Sequence, residues 1–157
     1  MATDKELKLA KEAFALLCKT FDDKGMKYDK EEDKLFAHIG VSGEDIPMDF
    51  FVQCDAERQL VKVISFLPFK MCEEKRIEGA IATSYVNYQI ADGSFDYNFA
   101  DGKIAFRMTS SFRESLIGAE LFDYMVGCSI FTVDRYNDQF LMLNKGMLSI
   151  EDFIKNN

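Results

Sequence analysis

The N-terminal segment of the chain repeats its apolar residues with the period of an α-helix. They recur at steps of three and four and form one stripe: Leu7, Ala10, Phe14, Leu17 and Phe21. Thr3 and Glu6 form a capping box before this stripe, and Gly25 stands where helix C-termini favour glycine. The pattern therefore predicts a helix that begins after Thr3 and ends at Gly25.

From Met26 to Leu67 the period changes to two, as expected for half-buried strands. Met26 and Tyr28 predict a short strand, and the charged run 30–34 predicts a turn. Three further strands are predicted around residues 35–41, 48–54 and 61–65, and Pro68 is expected to stop the sheet. Short polar connections between consecutive strands indicate an antiparallel meander.

A second helix is predicted from Cys72 to Ala91. Its large apolar residues share one face: Ile77, Ile81, Tyr85 and Tyr88. Other positions near this face carry small residues: Gly79, Ala80, Ala82 and Thr83. Because the distance between packed elements depends on the side chains at the contact, this helix can lie close to its neighbour.

The rest of the chain predicts a hairpin and two further helices. Residues 95–99 and 104–108 alternate as strands around the tight turn at Asp101-Gly102. A long helix is expected over residues 116–137, and Ser149 caps a last short helix. The resulting order, α-β-β-β-β-α-β-β-α-α, belongs to the α+β class, with an antiparallel sheet of about six strands and helices packed on one face.

Composition and charge narrow the class of protein. The chain has 157 residues, is 48% hydrophobic and 29% charged, and contains two prolines and nine glycines, so we expect one folded domain over residues 1–157. Its net charge of −8 argues against nucleic acid and membranes as partners, because both attract Lys/Arg patches. No secretory pattern or long apolar run is present, and the four cysteines lack C-x-x-C spacing. We expect a cytoplasmic protein with reduced thiols.

The search for catalytic chemistry yields isolated residues and no constellation. His38 is the only histidine and lies on a predicted strand, on the face opposite the core positions. Cys72 stands at a predicted helix start, where the dipole favours a thiolate while Glu73 and Glu74 oppose it. We predict no catalytic residue, no metal site and no cofactor. A small enzyme that uses Cys72 stays open, as does a ligand sensor in which aromatic side chains enclose a small molecule: Phe95, Tyr97 and Tyr85.

The outer face of the predicted sheet, opposite the core positions, is unusually apolar. Its apolar and aromatic residues are Phe36, His38, Phe51, Leu60 and Ile64. They alternate with Asp49, Gln53 and Lys62, whereas a solvated sheet face is more uniformly polar. An apolar patch with a polar rim marks a protein contact or self-association, so these five residues are candidate partner or dimer contacts. The alternative is that a further helix covers this face.

Several stretches resemble the YbjN-domain family of small bacterial proteins. They extend from the first helix to about Val133: VSGEDIPMD at 41–49, LPFKM at 67–71, KRIEGAIA at 75–82, DGSFDY at 92–97, FRM at 106–108 and SFRESL at 111–116. The resemblance implies the fold of type III secretion chaperones, an α/β module that binds other proteins and is often dimeric. The family also carries the label of a sensory transduction regulator, and the resemblance assigns no catalytic residues.

The residues and the resemblance together predict a non-enzymatic protein-binding module, either chaperone-like or regulatory. Its expected partners are a second copy of the chain and an unidentified protein. The predicted homodimer pairs the two outer sheet faces about Phe51, because burying several Phe or Leu side chains offsets the cost of association.

Overall fold

The computed structural model describes residues 1–115 and 117–157. In these residues the predicted α+β order is confirmed, with one antiparallel sheet and helices on one face. The helices are α1 (Asp4–Asp23), α2 (Arg76–Gln89), α3 (Ala119–Asn144) and α4 (Ile150–Asn156). The strands are β1 (Asp29–Glu31), β2 (Phe36–Val41), β3 (Met48–Asp55), β4 (Leu60–Lys70), β5 (Ser94–Asn98) and β6 (Lys103–Ser111). Short 3₁₀ turns at Glu32–Lys34 and Glu73–Lys75 precede β2 and α2.

The sheet has the strand order β1-β2-β3-β4-β6-β5, with antiparallel neighbours throughout. Alternation along β3 places Phe50 and Val52 on its inner face, where both are fully buried. Phe14 and Leu17 of α1 and Met125 of α3 belong to the same core. The predicted placement of the first and third long helices on this face is therefore confirmed. In the part of the chain that the structure describes, no helix is both long and apolar enough to cross a bilayer.

Helix α1 has the predicted ends. The Thr3 hydroxyl accepts a hydrogen bond from the amide of Glu6 at 3.3 Å, and the Glu6 carboxylate accepts one from the amide of Thr3 at 2.7 Å. This reciprocal pair satisfies two N–H groups that have no partner inside the helix. Gly25, with φ of +64°, takes the left-handed conformation just after the C-cap residue Lys24.

The first and fourth strands differ from the expected bounds. Met26 and Tyr28 precede β1 instead of forming it, because Tyr28 is tied to α1: its hydroxyl donates to Asp22 at 3.0 Å. Pro68 does not stop the sheet, and β4 continues to Lys70. Its ladder with β3 extends to Ile64, and its register with β6 shifts between Phe66 and Lys70. Proline is tolerated there because no regular ladder bond needs its missing N–H.

The second and third helices also differ from expectation. Helix α2 begins at Arg76 instead of Cys72, because Asn144 of α3 holds the amide of Cys72 at 2.7 Å in an extended segment. Helix α3 ends at Asn144 instead of Asn137, since Phe140 and Leu143 continue its buried positions. Leu116, its predicted first residue, lies outside the described residues. The Ser149 cap of α4 is confirmed, with a hydrogen bond from the amide of Asp152 at 3.0 Å.

Candidate functional site

The strand register determines which of the predicted contact residues are neighbours. His38 lies opposite Phe51, and Phe51 lies opposite Ile64, so three of them form one row across β2, β3 and β4. Phe36 precedes this row on β2, and Phe66 follows it on β4. We call these residues the aromatic patch: Phe36, His38, Phe51, Ile64 and Phe66.

Phe51 is the centre of the aromatic patch. Its ring centroid lies 5.8 Å from that of Phe36, 5.1 Å from that of His38 and 6.2 Å from that of Phe66. The first two pairs are stacked and the third is tilted, and such aromatic pairs add attraction beyond their buried area. The rings of the patch therefore already contact one another without a partner.

His38 is held at the edge of the patch by acidic groups. Its Nε2–H donates to Oδ1 of Asp49 at 2.7 Å, and Oδ2 of Asp29 lies 3.7 Å from Nδ1. The bond to Asp49 fixes the orientation of the imidazole ring, whose face stacks on Phe51. In this arrangement His38 contributes an aromatic face to the patch and a polar edge to its rim.

Leu60 lies apart from the aromatic patch. The row between Leu60 and Ile64 contains Gln53 and Lys62, which are paired across β3 and β4. The Lys62 ammonium donates to Oδ2 of Asp55 at 2.6 Å, and both side chains are largely shielded from solvent. Burial of Asp55 opposes the ionisation of its carboxyl group. Hydrogen bonds from Lys62 and from the amide of Arg58, together with the positive charge of Lys62, outweigh this effect and lower the pKa of the carboxyl group.

The other half of the same sheet face is polar. Thr109 and Arg107 of β6 point outward from this half, and the Arg107 guanidinium binds both carboxylate oxygens of Asp96, at 2.7 and 3.0 Å. This half has the solvated character that is usual for one face of an antiparallel sheet. The core helices pack on the inner face, and no member of the aromatic patch belongs to the described core, so the patch is open in the described part of the chain.

A second apolar surface lies on α2. The helix buries its small side, at Gly79, Ala82, Thr83 and Val86. Its large apolar residues therefore face solvent, with Ile77 67%, Ile81 44% and Tyr88 87% exposed. Phe99, in the β5–β6 turn, and Ile154 of α4 flank the helix. We call this surface the α2 face: Ile77, Ala80, Ile81, Ser84, Tyr85, Tyr88, Phe99 and Ile154.

The cysteine side chains differ in burial. Burial raises the pKa of Cys18, and it raises the pKa of Cys54 to about 12, so neither forms a thiolate readily at neutral pH. Cys72 is exposed, and its Sγ lies 3.7 Å from the carbonyl oxygen of Asn144. His38 binds Asp49 instead of a thiol. Among residues 1–115 and 117–157, no cluster of His, Cys, Asp and Glu could hold a metal ion.

The three aromatic residues considered for a ligand sensor have separate environments. Phe95 is a core residue whose ring packs against Phe106, at 5.2 Å between centroids. The Tyr97 hydroxyl donates to the carbonyl oxygen of Arg76 at 2.9 Å, and Tyr85 belongs to the α2 face. Among the described residues, these three side chains therefore face different surroundings.

Sequence reasoning missed two parts of these surfaces. Phe66 is not among the predicted contacts, because the fourth strand is predicted over residues 61–65, whereas β4 extends to Lys70. The exposure of the α2 face was also missed, because its residues have the spacing of a core-facing stripe. The signal for Phe66 was present, since it continues the alternation of Leu60, Lys62 and Ile64.

Comparison with known proteins identifies the fold. No family model matches the chain, and no curated protein matches it in sequence. Among solved structures, YbjN of E. coli, a proposed transcription regulator, has a TM-score of 0.57 at 13% identity, over 78% of this chain and 86% of YbjN.

Two other solved structures have the same fold. A chain of the HopA1–SchA chaperone–effector complex has a TM-score of 0.50 at 14% identity, over 77% of this chain and 88% of that one. An uncharacterised protein from Methanothermobacter thermautotrophicus has a TM-score of 0.53 at 14% identity, over 86% of this chain and 98% of that one. The predicted YbjN-like, chaperone-type α+β fold is therefore confirmed.

Proposed function

We propose that residues 1–157 act as one YbjN-like domain and that this domain is a protein-binding module, chaperone-like or regulatory, that binds its partner through the aromatic patch. The observation that carries the proposal is the contrast within one sheet face. Its β5–β6 half is polar, with Thr109 and the Arg107–Asp96 ion pair, whereas its β2–β4 half presents stacked aromatic rings. An apolar patch bordered by polar groups is typical of a protein contact.

The patch can supply enough binding free energy. Fully burying one Phe or Ile side chain contributes about 1.5–3 kcal/mol. Phe51 is already half-buried by its neighbours, while Phe66 is 53% exposed and has more area to gain. Aromatic residues near the centre of an interface often carry most of its affinity, which makes Phe51 the expected anchor.

The rim of the patch sets the chemistry of the partner. Asp29 and Asp49 border His38 on one side, and the outward Arg107 borders Ile64 on the other. A partner that places an apolar segment on Phe51 and Phe66 can keep these charged groups in water at the interface edge. The fold of the chain, shared with a proposed regulator and with a chain of a chaperone–effector complex, supports a protein partner.

Position-specific photocrosslinking tests the proposal. We would replace Phe51 or Thr109 with a photoreactive benzoyl-phenylalanine, crosslink in a lysate of the source organism and identify products by mass spectrometry. Thr109 is the matched control because it is exposed on the polar half of the same face. We expect a defined protein to crosslink from position 51 and not from position 109.

The captured protein is then purified and its affinity measured. Phe51→Ala should weaken binding at least about tenfold, as expected for an anchor residue, and Thr109→Ala should leave it within about twofold. Equal crosslinking from both positions, or binding that is indifferent to Phe51→Ala, would overturn the proposal.

A further inference from the structure

A cleft lies beside the last part of β4. The register of β4 against β6 shifts between Phe66 and Lys70, so residues 67–69 stand opposite Ile104 alone. Such a β-bulge turns side chains away from the regular ladder, and bulges are frequent next to binding sites. The cleft beside it has a volume of about 330 Å³. We call it the bulge cleft, and its lining includes Phe66, Pro68, Phe69, Lys70 and Lys103.

The bulge cleft shares Phe66 with the aromatic patch, so the two form one continuous surface. The Phe66 ring lies 6.2 Å from that of Phe51 on one side, and Pro68 and Phe69 follow it along β4 on the other. Phe66 and Pro68 are exposed, Phe69 is half-buried, and the lining is mostly apolar. A segment bound to the aromatic patch can therefore extend into the cleft and keep its apolar contacts.

The bulge cleft differs from the aromatic patch in its charge. Lys70 and Lys103 are exposed and lie opposite each other across β4 and β6. The Asp101 carboxylate accepts a hydrogen bond from the amide of Lys103 at 3.1 Å, and the Lys103 ammonium lies 3.1 Å from its other oxygen. These contacts, together with the charge of Lys70, lower the pKa of Asp101.

One carboxylate therefore acts against two ammonium groups. Lys70 forms no ion pair with any of residues 1–115 and 117–157. With Asp101 included, the cleft keeps a net positive charge, whereas the whole chain carries −8.

We infer that the bulge cleft is the subsite for an acidic side chain of the partner, close in sequence to an apolar side chain that packs on Phe66. The occupant is a peptide segment of another protein in which Asp or Glu lies next to aromatic or aliphatic residues. This inference rests on the proposed binding of a protein to the aromatic patch, and it adds the chemistry of the bound segment.

Charge complementarity favours this end of the surface for the carboxylate. At the opposite end, Asp29 and Asp49 flank His38 and would repel an acidic group. At the cleft the same group meets Lys70. A single carboxylate within an apolar segment also fits better than a nucleic acid or an anionic membrane, because the net charge of −8 repels both.

Panning a phage-displayed library of random linear peptides on the full chain tests the occupant. We expect the selected peptides to combine aromatic or aliphatic residues with Asp or Glu, and we expect Phe51→Ala to abolish their selection. Apolar peptides without an excess of Asp or Glu would overturn this inference and leave the proposed function intact. Selection that is equally strong on Phe51→Ala, or no selection on the wild type, would contradict both.

Charge reversal tests the position of the carboxylate. The affinity of a selected peptide is measured by fluorescence anisotropy, and Lys70→Glu should weaken it at least about fivefold, because two like charges then face each other. Lys11→Glu is the matched control: it makes the same change in net charge at an exposed position of α1, behind the sheet, and should keep the affinity within about twofold. Circular dichroism should show unchanged folding for both variants, since both side chains are exposed.

A compensating change completes the experiment. A peptide with Lys in place of its Asp or Glu should bind Lys70→Glu more tightly than it binds the wild type. Equal weakening by Lys70→Glu and Lys11→Glu would overturn the subsite, since net charge alone would then explain the loss. Affinity that is indifferent to Lys70→Glu but reduced by Phe51→Ala would also overturn it, while the proposed function would stand.

Discussion

The aromatic patch and the α2 face are both apolar and open, but they hold their side chains differently. On the sheet, neighbouring strands bring Phe36, His38 and Phe66 against Phe51, so each ring partly shields the others. On α2 the apolar residues project from a convex helix, and Tyr88 keeps 87% of its surface exposed.

This difference shows how secondary structure changes the free energy of leaving an apolar face exposed to water. A pleated sheet places side chains about 5 Å apart across strands, so an open apolar face can satisfy part of its own contacts. On a lone helix, residues contact only their i+3 and i+4 neighbours along one line, so the convex surface leaves more apolar area in water per residue. The α2 face therefore gains more from association per side chain, while the aromatic patch is better organised before binding.

The largest expected effect separates the two faces of the sheet. Phe50→Ala should reduce the free energy of unfolding by about 3–5 kcal/mol, because it empties a fully buried core position. Phe51→Ala, at the next residue, should cost no more than about 1.5 kcal/mol, since Phe51 faces outward and is only half-buried. Denaturant melts of both variants measure the difference. Equal losses would show that the outer face is part of the core.

The next effect separates the two faces of α2. A Cβ at Gly79 would lie 2.8 Å from Cγ of Met71 and 2.9 Å from the hydroxyl oxygen of Tyr97. Gly79→Val should therefore cost about 1–3 kcal/mol through overpacking, whereas Ser84→Val, on the exposed side, should change stability by less than about 0.5 kcal/mol. Thermal melts check the pair. A neutral Gly79→Val would contradict the assignment of the buried side.

The smallest effect concerns the ion pair that separates Leu60 from the aromatic patch. The lowered pKa of Asp55 means that its carboxylate stabilises the fold above the unfolded value near 4, and that this contribution is lost as pH falls through the folded pKa. Asp55→Asn should cost about 1 kcal/mol or less at pH 7, with no difference from wild type once Asp55 is protonated. Melts between pH 2 and 7 measure this. A gap that persists at the lowest pH would exclude the ionised pair as its cause.

Alternation was enough to predict most of the sheet and the outward positions of five residues: Phe36, His38, Phe51, Leu60 and Ile64. It could not predict lateral neighbours, because these depend on register, and register separates Leu60 from Ile64 by the Gln53–Lys62 row. The predicted end of β4 was wrong. Pro68 lies where the pairing of β4 with β6 shifts register, so no regular ladder bond needs its missing N–H. The sequence alone does not show this shift.

The orientation of α2 has a different physical origin. Its period divides the helix into a large-residue side and a small-residue side, and hydrophobicity favours burying the large side. The small-residue side of α2 faces the core because Met71 and Tyr97 fill the space next to Gly79 and leave no room for a larger side chain. That constraint comes from tertiary contacts, so the helix sequence by itself does not contain it.

Hydroxyl-radical footprinting of side chains tests the central claim that the aromatic patch binds the partner. The account predicts that oxidation of Phe66 falls when the protein captured through position 51 is added, while oxidation of Tyr88 on the α2 face stays constant. Protection of Tyr88 without protection of Phe66 would contradict it.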